Sequence, residues 1–321
     1  MKAIIHKTYG PPEVVKLMET DKPLPKENEV LVRVHAATVN RTDSGFRSAE
    51  YVISRLFSGI FRPKHQTLGN EFAGTVEAIG NKVSIFKTGD KVFGYNDISF
   101  GAHAEYLVMH EDETIVHMPG NLTFDQAACL SEGGHYALCD IRAANVVPGQ
   151  NVMVYGATGA IGSAAVQLLK HFGARVTAVG NTKNLELIRS LGADKVVDYT
   201  TEDFTLTSDR FDFIFDAVGK SSFGRCKPIL KEKGIYISTE LGKNWENIFL
   251  ALTTPLWGRK RVLFPIPSIK KQDLIFLKEL AEKELYKPVI DRYYSLEEIV
   301  EAYHYVESGQ KTGNVVLKVI Q

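Results

Sequence analysis

A chain of 321 residues, 44% hydrophobic and 24% charged, is long enough for about two domains and can bury a sizeable core. Its 38 Lys and Arg residues balance 38 Asp and Glu, and no basic cluster is long enough to track a nucleic-acid backbone, so no nucleic-acid partner is expected. No run of about 18 apolar residues predicts a membrane span, and the apolar part of MKAIIHKTYG is too short for a signal peptide and reads as a first strand.

Residues 1 to about 120 are rich in short β-like runs punctuated by Gly, Pro and Asp. Among them, EVLVRVHAATVN (29–40), EFAGTVEAIG (71–80) and KTGDKVFGY (87–95) predict strands and turns of a compact β domain. Between Phe46 and Pro63 an aromatic and aliphatic stretch predicts a short helix or a loop. Thr123 is a candidate N-cap for the helical pattern TFDQAACLSEGGHYALCDIRAANV. From there strand and helix patterns alternate: NVMVY, a helix, Arg175–Val179, the helix NLELIRSLGA, then KVVDY and FDFIFDAVG. SFGRCKPILKEKG predicts a helix ended by Gly234, IYISTE a strand, and RVLFPIP a last strand. This alternation argues for a parallel sheet covered by helices on both faces. The tail from about Ser268 returns to helix, and Val315–Ile320 can rejoin the first domain as a strand. Cys129, Cys139 and Cys226 are isolated, with no CxxC pair; they read as reduced thiols of a cytoplasmic protein.

The stretch NVMVYGATGAIGSAAVQLLKHFGARVTAVGNTKN (151–184) reads as strand, glycine turn, helix and strand. Ala157, Gly159 and Gly162 form A-x-G-x-x-G, the small residues that permit a tight turn, close approach of backbone to a pyrophosphate, and helix–strand packing. Thr158, Ala160 and Ile161 complete the turn, and the helix aims its first amides at the phosphates. A dinucleotide site is expected here. The second strand ends in Gly180, Asn181, Thr182 and Lys183, with no carboxylate before Glu186 to accept hydrogen bonds from an adenine ribose. Lys183 and the Thr182 hydroxyl could receive a 2′-phosphate, which favours NADPH; the alternative for Lys183 is a solvated lysine.

In several segments the chain resembles the zinc-independent medium-chain dehydrogenases/reductases, close to the quinone oxidoreductase group: EVLVRVHAATVNRTD, LGNEFAGTVEAIGNKVSIFKTGDKVFG, VPGQNVMVYGATGAIGSAAVQLLKHFGARV, LGADKVVDY, FDFIFDAVG and SGQKTGNVVLKV. The resemblance implies a GroES-like β domain from residues 1–121 and 269–321, and a doubly wound parallel-sheet (Rossmann) NADP-binding domain over 122–268. It also implies that Asn40 and Asn70 stand where zinc-dependent relatives place cysteine and histidine ligands. Asparagine amides are poor zinc donors, so no metal is expected. The four-cysteine lobe of those relatives has no counterpart between Gly94 and Ala104.

By the same resemblance, Tyr199 lies near the 2′-phosphate, Val218 and Gly219 pass beside the cofactor, and Leu241 falls near the nicotinamide. Tyr199 could instead only cover the sheet edge. Asn314 stands where relatives often have a basic residue. The expected activity is NADPH-dependent reduction of a quinone or α,β-unsaturated carbonyl by direct hydride transfer, where hydrogen-bond donors suffice to stabilise the developing oxyanion. The candidate catalytic set is Asn40 to orient nicotinamide or substrate, Tyr51 as a donor to the substrate oxygen or merely a loop aromatic, and Asp43, read as the acceptor that organises the turn. An alcohol or aldehyde dehydrogenase of the same fold is the alternative, but there is no Tyr-x-x-x-Lys pair to supply its base. A non-catalytic NADPH-binding protein is the other alternative. Dimerisation with a second copy is expected by analogy.

Overall fold

The eleven-residue strand Glu29–Val39 is the axis of one half of the structure, a computed structural model that describes residues 1–49 and 55–320. One edge pairs antiparallel with Glu71–Ile79. The other edge is divided between two partners: Glu29–Arg33 take Tyr106–His110, and Ala36–Val39 take Val315–Lys318 from the far end of the chain. Lys91–Tyr95 and Ile115–His117 extend the sheet on one side, and Ile290–Ser295 extends it on the other, parallel to Asn314–Lys318. Val30, Val32 and Val34 alternate along the axis strand and are fully buried in a core shared with Val76, Val92 and Leu107. The carboxy-terminal run therefore rejoins the first part of the chain, because its valines complete that core.

The compact units are Met1–Glu132 with Ile269–Gln321, and Gly133–Ser268. In the second unit, a six-stranded sheet is parallel throughout, in the order Lys195–Asp198, Arg175–Gly180, Asn151–Tyr155, Phe211–Asp216, Leu230–Ser238, Arg261–Leu263. Its central strands are apolar on both faces, with Val152, Met153, Val154, Ile214 and Phe215 all buried. Chain order reverses between Asn151–Tyr155 and Phe211–Asp216, and ligands of such sheets bind outside the carboxyl ends of the strands at that point.

Two expected elements differ in detail. SFGRCKPILKEKG forms only the single turn Phe223–Cys226 and a 3-10 turn, Lys227–Ile229, and the strand begins at Leu230. Pro228 offers no N–H to continue the helix, and Ile229 and Leu230 are buried as the chain turns into the sheet. The pattern after Thr123 divides into Phe124–Ala128 and Ser131–Ala143. Of the segment 46–63, the helices Arg41–Ser48 and Arg55–Ser58 are seen, and Tyr51 lies outside the described residues. Among the described residues, no helix is long and apolar enough to cross a membrane.

Thr123 does cap its helix: its Oγ1 accepts the Gln126 N–H at 3.3 Å, and Gln126 Oε1 accepts the Thr123 N–H at 3.0 Å. Thr123→Ala should lower stability by about 1 kcal/mol, read as an earlier urea midpoint with unchanged slope.

Candidate active site

In the dinucleotide unit the glycine turn is dictated by contact. A Cβ on Gly162 would stand 2.1 Å from the Gly156 carbonyl oxygen, so only glycine lets the helix Ala160–His171 start this close to the turn. Gly156 has φ +79°, and a Cβ there would meet the Val218 side chain at 2.5 Å. The helix starts at Gly159 with no side-chain cap, which leaves its first-turn amides, on Ala160 and Ile161, for a ligand. Gly180 lies beside Thr158, whose Cγ2 would be 3.2 Å from a Cβ at that position.

The next strand end is organised by buried Asp216. Its Oδ1 accepts N–H bonds from Val218 at 3.2 Å and Gly219 at 2.8 Å, and its Oδ2 accepts from Ser221 N–H and the Tyr236 hydroxyl. Asn247 N–H donates to the Leu241 carbonyl, and its Nδ2 to that of Glu240, which fixes the chain beside Gly242. The sequence-identified residues Ala157–Gly162, Val218, Gly219 and Leu241 thus follow carboxyl ends of parallel strands, and Gly180 is the last residue of one. A cradle of this shape, with an uncapped helix end, fits a dinucleotide.

Around the second strand end the structure adds what local sequence did not reveal. Asp198, from the neighbouring strand, accepts the Thr182 hydroxyl at 2.6 Å and both the N–H and hydroxyl of Thr200. These bonds, that of Thr182 first, hold its carboxyl below the usual range. The Thr182 proton is therefore engaged, and Lys183 is the exposed cation of this turn. Asn181 accepts from Asn184 Nδ2. Tyr199 is half-exposed, in edge contact with Tyr155, and lines a cavity of about 380 Å3 with Tyr155, Phe204 and Arg225. Arg225, which stacks over Phe204 and pairs with Asp203, is a second cation that the sequence did not single out.

The GroES-like unit holds a buried polar cluster around Asn40. Asn40 caps the helix Arg41–Ser48: its Oδ1 accepts the Asp43 N–H at 2.9 Å, and Asp43 Oδ2 accepts the Asn40 N–H at 3.2 Å. Asp43 Oδ1 takes the Gly69 N–H, so Asp43 ties this turn to the segment before Asn70. Asn40 Nδ2 donates to Asn70 Oδ1 at 2.7 Å, and Asn70 Nδ2 donates to Glu132 Oε2 at 3.1 Å. Glu71 Oε1 accepts the Glu132 N–H and its Oε2 accepts the Thr38 hydroxyl, both at 2.6 Å. Glu132 Oε1 meets the Thr42 hydroxyl at 2.7 Å. Both ends of the Asn40 amide are thus engaged within the protein.

Burial governs the charges in this cluster. It pushes Asp43 up to about 7 against the Gly69 and Asn40 N–H groups, and Glu71 up to about 7 against its own donors. Glu132 is raised well above the carboxylate range, by burial first and then by the Glu71 and Asp43 charges. Half-buried Lys311, whose Nζ donates to the Gly313 carbonyl, is lowered by burial, while Glu132 and Glu71 act in the opposite sense. Burial brings His103 down to about 4, so it is neutral and donates from Nε2 to the Thr38 carbonyl. Glu132 and Lys311 escaped the sequence reading. Asn314 spends its Nδ2 on the Val289 carbonyl.

A zinc ion does not fit these donors. Asn40 Nδ2 points at the Asn70 amide oxygen and Asn70 Nδ2 at Glu132, so the two amides do not aim lone pairs at a common centre. Among the described residues, no three His, Cys, Asp or Glu groups are placed to hold a metal.

The raised carboxyls make stability depend on pH. Glu71 has a folded pKa of about 7 against an ordinary 4.5, so its contribution is fully present below pH 4.5 and is lost as pH rises through about 7. His103 works in the other direction, losing its contribution as pH falls from 6.5 through about 4. Glu71→Gln leaves His103 in place, so the difference between the two proteins reports Glu71 together with the effect of its charge on Glu132. Tm should fall less steeply from pH 5 to about 8 in the variant, as followed by calorimetry; equal slopes would show that Glu71 does not titrate there.

The "Alcohol dehydrogenase GroES-like domain" family matches residues 26–120, and the "Zinc-binding dehydrogenase" family matches residues 191–317. The chain is 33% identical to 2-methylene-furan-3-one reductase of Solanum lycopersicum, over 99% of this chain and 79% of that protein. It is 31% identical to the chloroplastic NADPH-dependent alkenal/one oxidoreductase of Arabidopsis thaliana, with the same coverage. Its fold superposes on the quinone oxidoreductase of Coxiella burnetii with a TM-score of 0.88 at 31% identity, covering 100% and 99% of the two chains. With these similarities running the length of the chain and amides in place of zinc donors, it belongs to the zinc-independent, quinone-oxidoreductase-like group of medium-chain dehydrogenases/reductases.

Proposed function

We propose that the protein is an NADPH-dependent reductase of quinones or α,β-unsaturated carbonyls, acting without zinc. The observation that carries this reading is the Asn40–Asn70 cluster, whose amides are poor metal donors and are engaged with one another and with Glu132, in a chain whose other unit carries an open glycine cradle. The names of two relatives, a 2-methylene-furan-3-one reductase and an NADPH-dependent alkenal/one oxidoreductase, support the substrate class. Bound NADPH supplies a hydride. The amides of Ala160, Ile161 and Gly162 would hold the pyrophosphate, Lys183 and Tyr199 the 2′-phosphate, and Leu241 the nicotinamide side. Tyr51 is assigned as a donor to the substrate oxygen and Asp43 as the acceptor that organises the turn; Asn40, expected to orient nicotinamide or substrate, is assigned to that turn as well, because both ends of its amide are engaged there. A cytoplasmic location belongs to the same reading.

Chelator-treated protein should oxidise NADPH in the presence of quinones and enals at an unchanged rate. Activity that appears only with an alcohol, NADP+ and added metal would overturn the proposal, as would NADPH binding with no turnover on any acceptor. Lys183→Ala should raise KM for NADPH about tenfold while KM for NADH stays put, the loss expected for one charge-assisted hydrogen bond.

We also propose that the chain pairs with a second copy through its dinucleotide unit. Arg261–Leu263 is an edge strand of the parallel sheet. The neighbouring helix Glu246–Trp257 exposes Phe249, Leu252 and Leu256 on one stripe, at 66%, 72% and 78%. Leu252→Lys with Leu256→Lys should convert a dimer to a monomer in sedimentation velocity; a wild-type monomer would refute the pairing.

A further inference from the structure

Three carboxyl groups are buried around Asn40, and their partners divide them into two kinds. Asp43 accepts backbone N–H groups on both oxygens, an arrangement suited to the ionised form. Glu71 accepts the Glu132 N–H on one oxygen and the Thr38 hydroxyl on the other. That hydroxyl is oriented in turn, since Asn40 Nδ2 points at Thr38 Oγ1 from 3.4 Å. Glu132 differs. Asn70 Nδ2 donates to its Oε2, while among the described residues its Oε1 meets the Thr42 hydroxyl, a group that can accept as readily as donate. Two buried carboxyls this close do not both ionise readily, and Glu132 Oε1 is the oxygen whose partner can accommodate a proton.

The position of Thr42 gives this proton a direction. Thr38, Asn40, Asp43, Asn70, Glu71 and Glu132 are all buried. Thr42, in the first turn of the helix that Asn40 caps, is only partly buried. A chain of hydrogen bonds thus runs from a buried carboxyl to the hydroxyl of a residue that is only partly buried.

We propose that Glu132 is the proton source of the reductase, with Thr42 as the group that hands the proton to the substrate oxygen. This rests on the reductase reading above. Hydride addition to an electron-poor carbon of the quinone or enone leaves the electron pair of the broken π bond on the substrate oxygen. That oxygen takes the Thr42 hydroxyl proton, and Thr42 Oγ1 takes the proton of Glu132 Oε1. The products are the Glu132 carboxylate, which Asn70 Nδ2 and the Thr42 hydroxyl then hydrogen-bond, and the enol; for a quinone this is a hydroxydienone, which becomes the hydroquinone when its reduced carbon loses a proton to solvent and its second oxygen takes one up. One proton from solvent restores Glu132, so each turnover consumes one hydride and one proton.

The test compares two quinones. With a quinone whose reduced oxygen is weakly acidic, Glu132→Gln should lower kcat roughly a hundredfold, the scale of general acid catalysis, with little change in KM. With a halogenated quinone, whose reduced oxygen is a stable anion, the same variant should stay within about twofold of the parent, since no proton is required. The solvent deuterium isotope effect on kcat should rise in the variant for the first quinone only. Thr42→Val should reproduce this selective loss and Thr42→Ser should reverse it, which keeps the test decisive if Glu132→Gln does not fold. Equal slowing with both quinones would make the two residues purely structural, and no slowing with either would remove them from proton transfer. If the parent protein reduces neither quinone with NADPH, the reductase reading itself fails, and this assignment falls with it.

Discussion

A buried carboxyl must find donors or give up its charge, and Asp43, Glu71 and Glu132 all face this constraint in one small region. The structure answers it with amides, N–H groups and hydroxyls. Asn40 and Asn70 form a bridge from the helix cap to Glu132, and Gly69, Thr38 and the Glu132 backbone supply the remaining donors. The hairpin of roles is economical: the hydrogen bonds that cap the helix Arg41–Ser48 also fix the amide that reaches Asn70. Asparagine at these two positions therefore does more than omit a metal. It supplies both a donor and an acceptor at each step, which neither a thiolate nor a carboxylate could do.

The dinucleotide unit solves a different problem, that of bringing bare backbone close to phosphates. Its solution is steric. Gly162 lets the helix seat against the Gly156 carbonyl, Val218 fills the space beside Gly156, and the helix end is left without a side-chain cap. Asp216 stabilises the next loop by accepting backbone N–H bonds where a ligand would pass. The end of the second strand presents side chains instead. There the picture is mixed: Lys183 and Arg225 bring positive charge, while Asp198 brings a carboxylate already occupied by threonine donors.

Hydride transfer to a conjugated carbonyl needs little chemical machinery beyond positioning, a donor for the oxygen and a proton. In the proposed reading the two units would supply these by separate means, one through backbone geometry and the other through the hydrogen-bonded chain from Asn40 to Glu132. The group-level similarity to reductases of quinones and enones is consistent with that division.

The sequence alone determined the parallel-sheet unit, the A-x-G-x-x-G turn, the Thr123 cap and the lack of zinc donors at positions 40 and 70. These were legible because each is local: period-two or continuous apolar runs, glycine spacing, a cap three residues from its partner. Tertiary structure decided what no window of sequence contains. Asn70 meets Glu132 across 62 residues and Thr42 meets it across 90, and Asp198 reaches Thr182 from a neighbouring strand. Such contacts follow from strand order, because the chain must close its sheets before these side chains become neighbours. Burial then sets their protonation, and burial is a property of the packed fold rather than of any one residue.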